Sequence, residues 1–94
     1  MELDERRAKI TEQLAAAQAA HAEYEATTLN GVYDQQWADW YAEYLLAHGW
    51  NDLFSQSWDA DSLTAALRQA DATHRATAPQ QRWHEFYAAQ FAPS

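Results

Sequence analysis

The sequence predicts an all-α protein, an antiparallel helical bundle of three to four helices, and three observations carry that prediction. Gly and Pro number two each among 94 residues, Ala is abundant and β-branched residues are few, a composition that favours helix and offers little material for strands. Apolar residues recur at helical spacing along most of the chain. The pattern breaks at turn and capping signals, and the connections between segments are short enough to make neighbouring helices antiparallel. A chain of this length forms a single domain, 1–94, with one small core and no deep cleft between lobes.

The first helix is expected over about residues 3–26. Leu3, Ile10, Leu14, Ala17, His21 and Tyr24 share one stripe, and Ala15, Ala16, Ala19 and Ala20 add helix propensity without bulk. Glu2, Asp4 and Glu5 precede Arg6, Arg7 and Lys9, an order that suits the helix dipole and permits i, i+4 pairing. At ~1.5 Å per residue this helix is roughly 35 Å long, more than its neighbour, so its first turns are expected to overhang. Asn30-Gly31 then marks a turn.

The second helix, about 35–48, is the densest apolar segment. Trp37, Trp40, Tyr41, Tyr44, Leu45 and His48 follow the i, i+3, i+4, i+7 pattern, with Asp34 available to cap the first turn and Gly49 to close the last. Asn51 to Trp58 form a connector whose Leu53, Phe54 and Trp58 are suited to plug one end of the core. Asp59 caps a third helix, about 60–76, and Trp58 with Leu63 have the spacing of a hydrophobic staple. Its stripe of Leu63, Ala66, Leu67, Ala70 and His74 is thin, so bulky side chains must face it. Thr77 and Gln80 have capping-box spacing around Pro79, which opens a fourth helix at about 79–91 with Trp83, Phe86, Tyr87 and Phe91 as its apolar face. Residues 92–94 are expected to fray.

The net charge is -8, and no Lys or Arg falls between Lys9 and Arg68 while nine carboxylates do. That field repels phosphate, which disfavours nucleic acid and anionic membranes and favours a basic protein partner or a cationic small ligand. Without Cys there is neither a disulfide framework nor a thiolate metal site. The first residues lack the order of a signal peptide and no apolar run is long enough to span a bilayer, so a soluble cytoplasmic protein is expected.

No catalytic or nucleotide-binding motif is present. His21, His48 and His74 occupy equivalent stripe positions on three helices, but antiparallel packing puts His48 about eleven residues, ~16 Å, from the other two. At the remaining end, His21 with Glu25 and His74 with Asp71 offer two imidazoles and two carboxylates. His21, Glu25, Asp71 and His74 are therefore a candidate set for zinc or another divalent ion, and no other cofactor is expected. His21, Tyr24, Glu25, Tyr33, Asp34, Trp37 and His74 form the candidate ligand-binding set at that end. A general base there would need a pocket and an oxyanion donor or nucleophile that the sequence does not show. The aromatic residues suit a cage for a protonated or quaternary amine, although their stripe positions mark them first as core. The expected role is a small acidic interaction or small-ligand-binding module. The alternatives are a divalent-metal protein or His/carboxylate enzyme at the His21/His74 end, and a structural subunit of a larger assembly. Leu3 on the overhang and Leu46 opposite the stripe of the second helix suggest a homodimer.

Overall fold

A computed structural model describes residues 2–54 and 57–93. Helix α1 spans Leu3–Thr27, α2 Trp37–Ala47, α3 Ala60–Thr77 and α4 Trp83–Phe91, with a 3-10 turn at Trp50–Leu53 between α2 and α3. The helices form a ring: α1 packs on α2, α2 on α3, α3 on α4 and α4 on α1, and the backbones of the diagonal pairs stay apart among the described residues, with side chains such as Tyr41 and Trp83 reaching across. Each seam is antiparallel. Gln13 reaches the His48 carbonyl while His21 meets Asp34, and Arg7 reaches the Ala92 carbonyl while His84 meets Gln18. No helix among the described residues is long and apolar enough to cross a membrane.

Ile10, Leu14, Ala17 and His21 of α1 and Leu63, Leu67 and Ala70 of α3 are buried on their expected stripes. On α2 the wholly buried arc is Ala38, Tyr41, Ala42 and Leu45, while Trp37, Trp40 and Tyr44 are half-buried and His48 is exposed. The arc lies between α1 and α3, where backbones come close, so two alanines fit and the indoles reach around its edges. Trp50 is fully buried and packs against Phe54 and Phe91, with Trp58 completing this plug at ring distances of 5.0 to 5.8 Å. Its indole N–H has no partner among the described residues. Burying such a ring contributes ~4–6 kcal/mol by area, more than the ~1–3 kcal/mol that an orphan donor costs.

Local signals set most helix ends. Gly49 takes φ +86°, and Asn30 and Gly31 are left-handed in the turn after α1. Asp59 accepts the Ser62 amide at 2.7 Å while the Ser62 hydroxyl accepts the Asp59 amide at 3.1 Å, a reciprocal capping box. Two ends differ from expectation. Helix α4 begins at Trp83, not 79, because α3 continues through Thr77, whose hydroxyl donates back to the Thr73 carbonyl and so is not free to cap. Helix α2 begins at Trp37 because Asp34, which accepts the Gln36 amide, is also committed to His21.

The ends of the bundle are also more closely covered than expected. Arg7 donates to the Ala92 and Pro93 carbonyls at 2.8 and 2.9 Å, and Ala92 is buried, so these two residues do not fray; Ser94 lies outside the described residues. Leu3 and Leu46 are half-buried against the chain's own core. Among the described residues the large apolar side chains left exposed are Val32 and Tyr33.

Candidate functional site

At the end of the bundle where α1 leaves and α4 enters, Gln18, Tyr33, Trp37, Tyr41, Trp83 and Tyr87 line a groove of about 360 Å³, closed on the α3 side by Asp71, His74 and Arg75. The helical periods account for this convergence. Trp37 and Tyr41 lie one turn apart on α2, Asp71, His74 and Arg75 share one face of α3, and Trp83 and Tyr87 lie one turn apart on α4. Successive rings turn sharply from one another. Trp37 to Tyr41 is 5.9 Å at 88°, Tyr41 to Trp83 is 6.0 Å at 70°, and Trp83 to Tyr87 is 5.0 Å at 65°.

The polar groups of the groove are few and positioned. The Tyr87 hydroxyl donates to Asp71 Oδ1 at 3.1 Å, and Arg75 Nε donates to the same carboxylate at 3.2 Å. Burial, followed by the negative charge of Asp71, pushes the Tyr87 phenol well above its ordinary value. Burial first and Glu25 second push Tyr41 up to about 12. Both hydroxyls therefore keep their protons at neutral pH. The groove's charges are the Asp71 carboxylate, one-quarter exposed, and the Arg75 guanidinium, three-quarters exposed. His74 Nε2 lies 2.6 Å from the Gln81 carbonyl, which only accepts, so this nitrogen carries the proton and Nδ1 is the basic one. Outside the groove, Arg68 donates to the Gln35 carbonyl with its guanidinium 5.8 Å from the Trp37 ring centre.

Behind the Tyr41 wall lies a second network. His21 Nε2 meets Asp34 Oδ2 at 2.9 Å, His21 Nδ1 lies 3.6 Å from Glu25 Oε1, and the other Glu25 oxygen accepts the Asp34 amide at 3.2 Å. The imidazole packs between Trp40, Tyr41 and Tyr24 at ring distances of 4.9, 5.0 and 6.0 Å. This cluster ties the α1–α2 connection to α1 and so fixes where Tyr33 and Trp37 emerge. A carboxylate thus faces each ring nitrogen of His21.

The seven candidate ligand-binding residues are thus divided. Tyr33, Trp37 and His74 line the groove, whereas His21, Tyr24, Glu25 and Asp34 form the support behind it. The four candidate metal ligands divide the same way: His21 and Glu25 belong to one network, Asp71 and His74 to the other, and Tyr41 stands between. Among the described residues no group of three or more His, Asp and Glu is arranged to hold a metal ion. Tyr41, Trp83 and Tyr87 line the groove although their stripe positions mark them first as core, with Tyr41 and Trp83 also among the aromatics suited to a cage, and Arg75 joins them with no signal of its own in the sequence. On one strand of sequence their stripe positions look the same for a core wall and a groove wall. Compared with known proteins, the chain matches no family model, no curated protein and no solved structure.

Proposed function

We propose that this chain is a small-ligand-binding module whose ligand, a compact and mostly apolar organic molecule, occupies the aromatic groove at the Tyr33/Trp83 end. The observation that carries this is the convergence of five aromatic side chains and one hydrogen-bonded carboxylate on a single concavity. Its volume is at the low end of the ~300–1,000 Å³ common for ligand sites, which suits a molecule of one or two rings. An apolar concavity with a few placed polar groups is the general form of such sites, and here the walls come from elements held rigid by the bundle.

Indole N–H signals in a proton–nitrogen correlation spectrum test this. Titration with a set of small fragments, indole and 3,3-dimethylbutan-1-ol among them, should shift the Trp37 and Trp83 signals saturably and leave Trp40, Trp50 and Trp58 in place. Trp83→Leu should abolish the effect. Absence of any saturable shift at Trp37 and Trp83 would remove the groove as a binding site.

One observation favours a protein partner as a second role. Val32 and Tyr33, adjacent on the lip of the groove, are about two-thirds exposed. A basic partner surface that covers them would also be drawn by the acidic field of the chain. Leu3 and Leu46 are partly buried on the chain's own core, and sedimentation equilibrium over a tenfold concentration range tests self-association through them.

A further inference from the structure

We propose that the groove selects an organic cation, a small free quaternary amine of choline size, and that Arg75 competes with this cation for the Asp71 carboxylate. This rests on the groove being a binding site and adds the chemical class of its ligand. Three consecutive ring pairs meet edge to face at 65° to 88°, and Trp37, Tyr41, Trp83 and Tyr87 all line the one groove. Ring faces carry the negative end of the aromatic quadrupole and attract cations without hydrogen bonds. A quaternary ammonium, which has no N–H to donate, is matched by such a wall where a hydrated primary ammonium is not.

The carboxylate completes the match. Asp71 is fixed by the Tyr87 hydroxyl, and its negative charge is felt inside the groove, where it helps hold the Tyr87 proton. Its cation partner is Arg75, four residues on along the same helix and largely in solvent. Exposed i, i+4 pairs of this kind are weak and readily exchanged. Arg75 can therefore swing outward and leave Asp71 facing an incoming cation. Trp37 shows the same preference on the outer side, where the Arg68 guanidinium lies 5.8 Å from its ring centre. The charge of the whole chain, -8, draws cations toward it.

Choline and its neutral isostere 3,3-dimethylbutan-1-ol have nearly the same shape and differ in charge, so the pair separates cation recognition from apolar fit. Titrations are followed at the Trp37 and Trp83 indole signals of the intact chain. Choline should bind at least tenfold more tightly than the alcohol. Asp71→Asn, which keeps an oxygen for Tyr87, should abolish that preference, and Arg75→Ala should tighten choline binding about twofold or more because the competing cation is gone. Circular dichroism of each variant confirms that it is folded. Equal affinity for choline and the alcohol would overturn the cation assignment and leave the groove as a binding site. Binding of neither would also overturn the cation assignment, and only the further failure of indole and the other fragments would remove the groove itself. A peptide carrying trimethyllysine that binds tenfold more tightly than choline would overturn the free-amine assignment in favour of a protein-borne cation.

Discussion

Replacing Asp34 by Ala should cost this fold about 3 to 4 kcal/mol, far more than a change at a connecting segment usually does. Asp34 accepts from His21 Nε2 at 2.9 Å and from the Gln36 amide at 2.8 Å. A hydrogen bond to a charged group contributes ~1.5–3 kcal/mol and an amide bond about 1 kcal/mol more. The two side chains of the His21–Asp34 contact are only 9% and 10% exposed, so solvent screening discounts this little. Removing one member of a buried pair typically costs ~3–5 kcal/mol, because the other is left without a partner, which agrees with the sum. A chain of this size has a total stability of roughly 5–14 kcal/mol, so the variant should lose about a fifth or more of it. Urea unfolding followed by tryptophan fluorescence measures the loss, and the thermal midpoint should fall by at least ~12 °C. Adding His21→Leu to Asp34→Ala should recover part of the loss by removing the orphaned imidazole. A loss below about 1 kcal/mol, or a double variant equal to the sum of the singles, would refute a buried tie between α1 and the α1–α2 connection.

Two further outcomes follow from the titrating groups. The Asp59 carboxyl is held below its usual value first by the Ser62 amide and then by the Ser62 hydroxyl. Its contribution is therefore present above the unfolded value near pH 4 and is lost as pH falls through the lower folded value; the thermal midpoints of the wild type and Asp59→Asn should differ at pH 6 and converge in acid. Tyr41 and Tyr87 are both raised, so the folded state disfavours their ionised forms and stability declines once pH exceeds the unfolded value near 10. Absorbance at the tyrosinate band should rise in two stages in the folded chain and in one stage in denaturant, and Tyr87→Phe should shrink the later stage.

The fold was legible because its signals are local and repeated. Ile10, Leu14 and Ala17 share a period that only a helix satisfies, and Asp59 before Ser62 needs no distant partner to cap. What escaped depends on contacts between elements. The buried arc of α2 runs through Ala38 and Ala42 because two helices press on it, and nothing in the bulk of those residues announces that. Thr77 has the spacing of a cap, yet the hydroxyl takes the carbonyl one turn back. The site was half legible for the same reason. His21 and Glu25 are one turn apart and were paired from sequence, whereas the shorter contact, to Asp34, crosses a turn. His74 and Asp71 lie one turn apart on α3 and can be paired by their spacing, but their neighbours Trp83 and Tyr87 arrive from α4, whose rotation no local signal sets.

A ring whose diagonal helices keep their backbones apart has three seams between helices adjacent in the chain and one seam, α1 against α4, between its extremes. Loop-closure entropy makes that last seam the costliest to shut: the Arg7–Ala92 contact spans 85 residues where His21–Asp34 spans 13, a difference of roughly 1.7 kcal/mol. Its outer member is also the shortest helix, nine residues, too few to persist undocked. The element that docks last and opens most readily is thus α4, which carries Trp83 and Tyr87. When it peels away, two walls of the groove leave together while the His21 cluster stays shut. Anything held in the groove therefore binds only the docked form and, by mass action, tightens the whole bundle at its weakest closure.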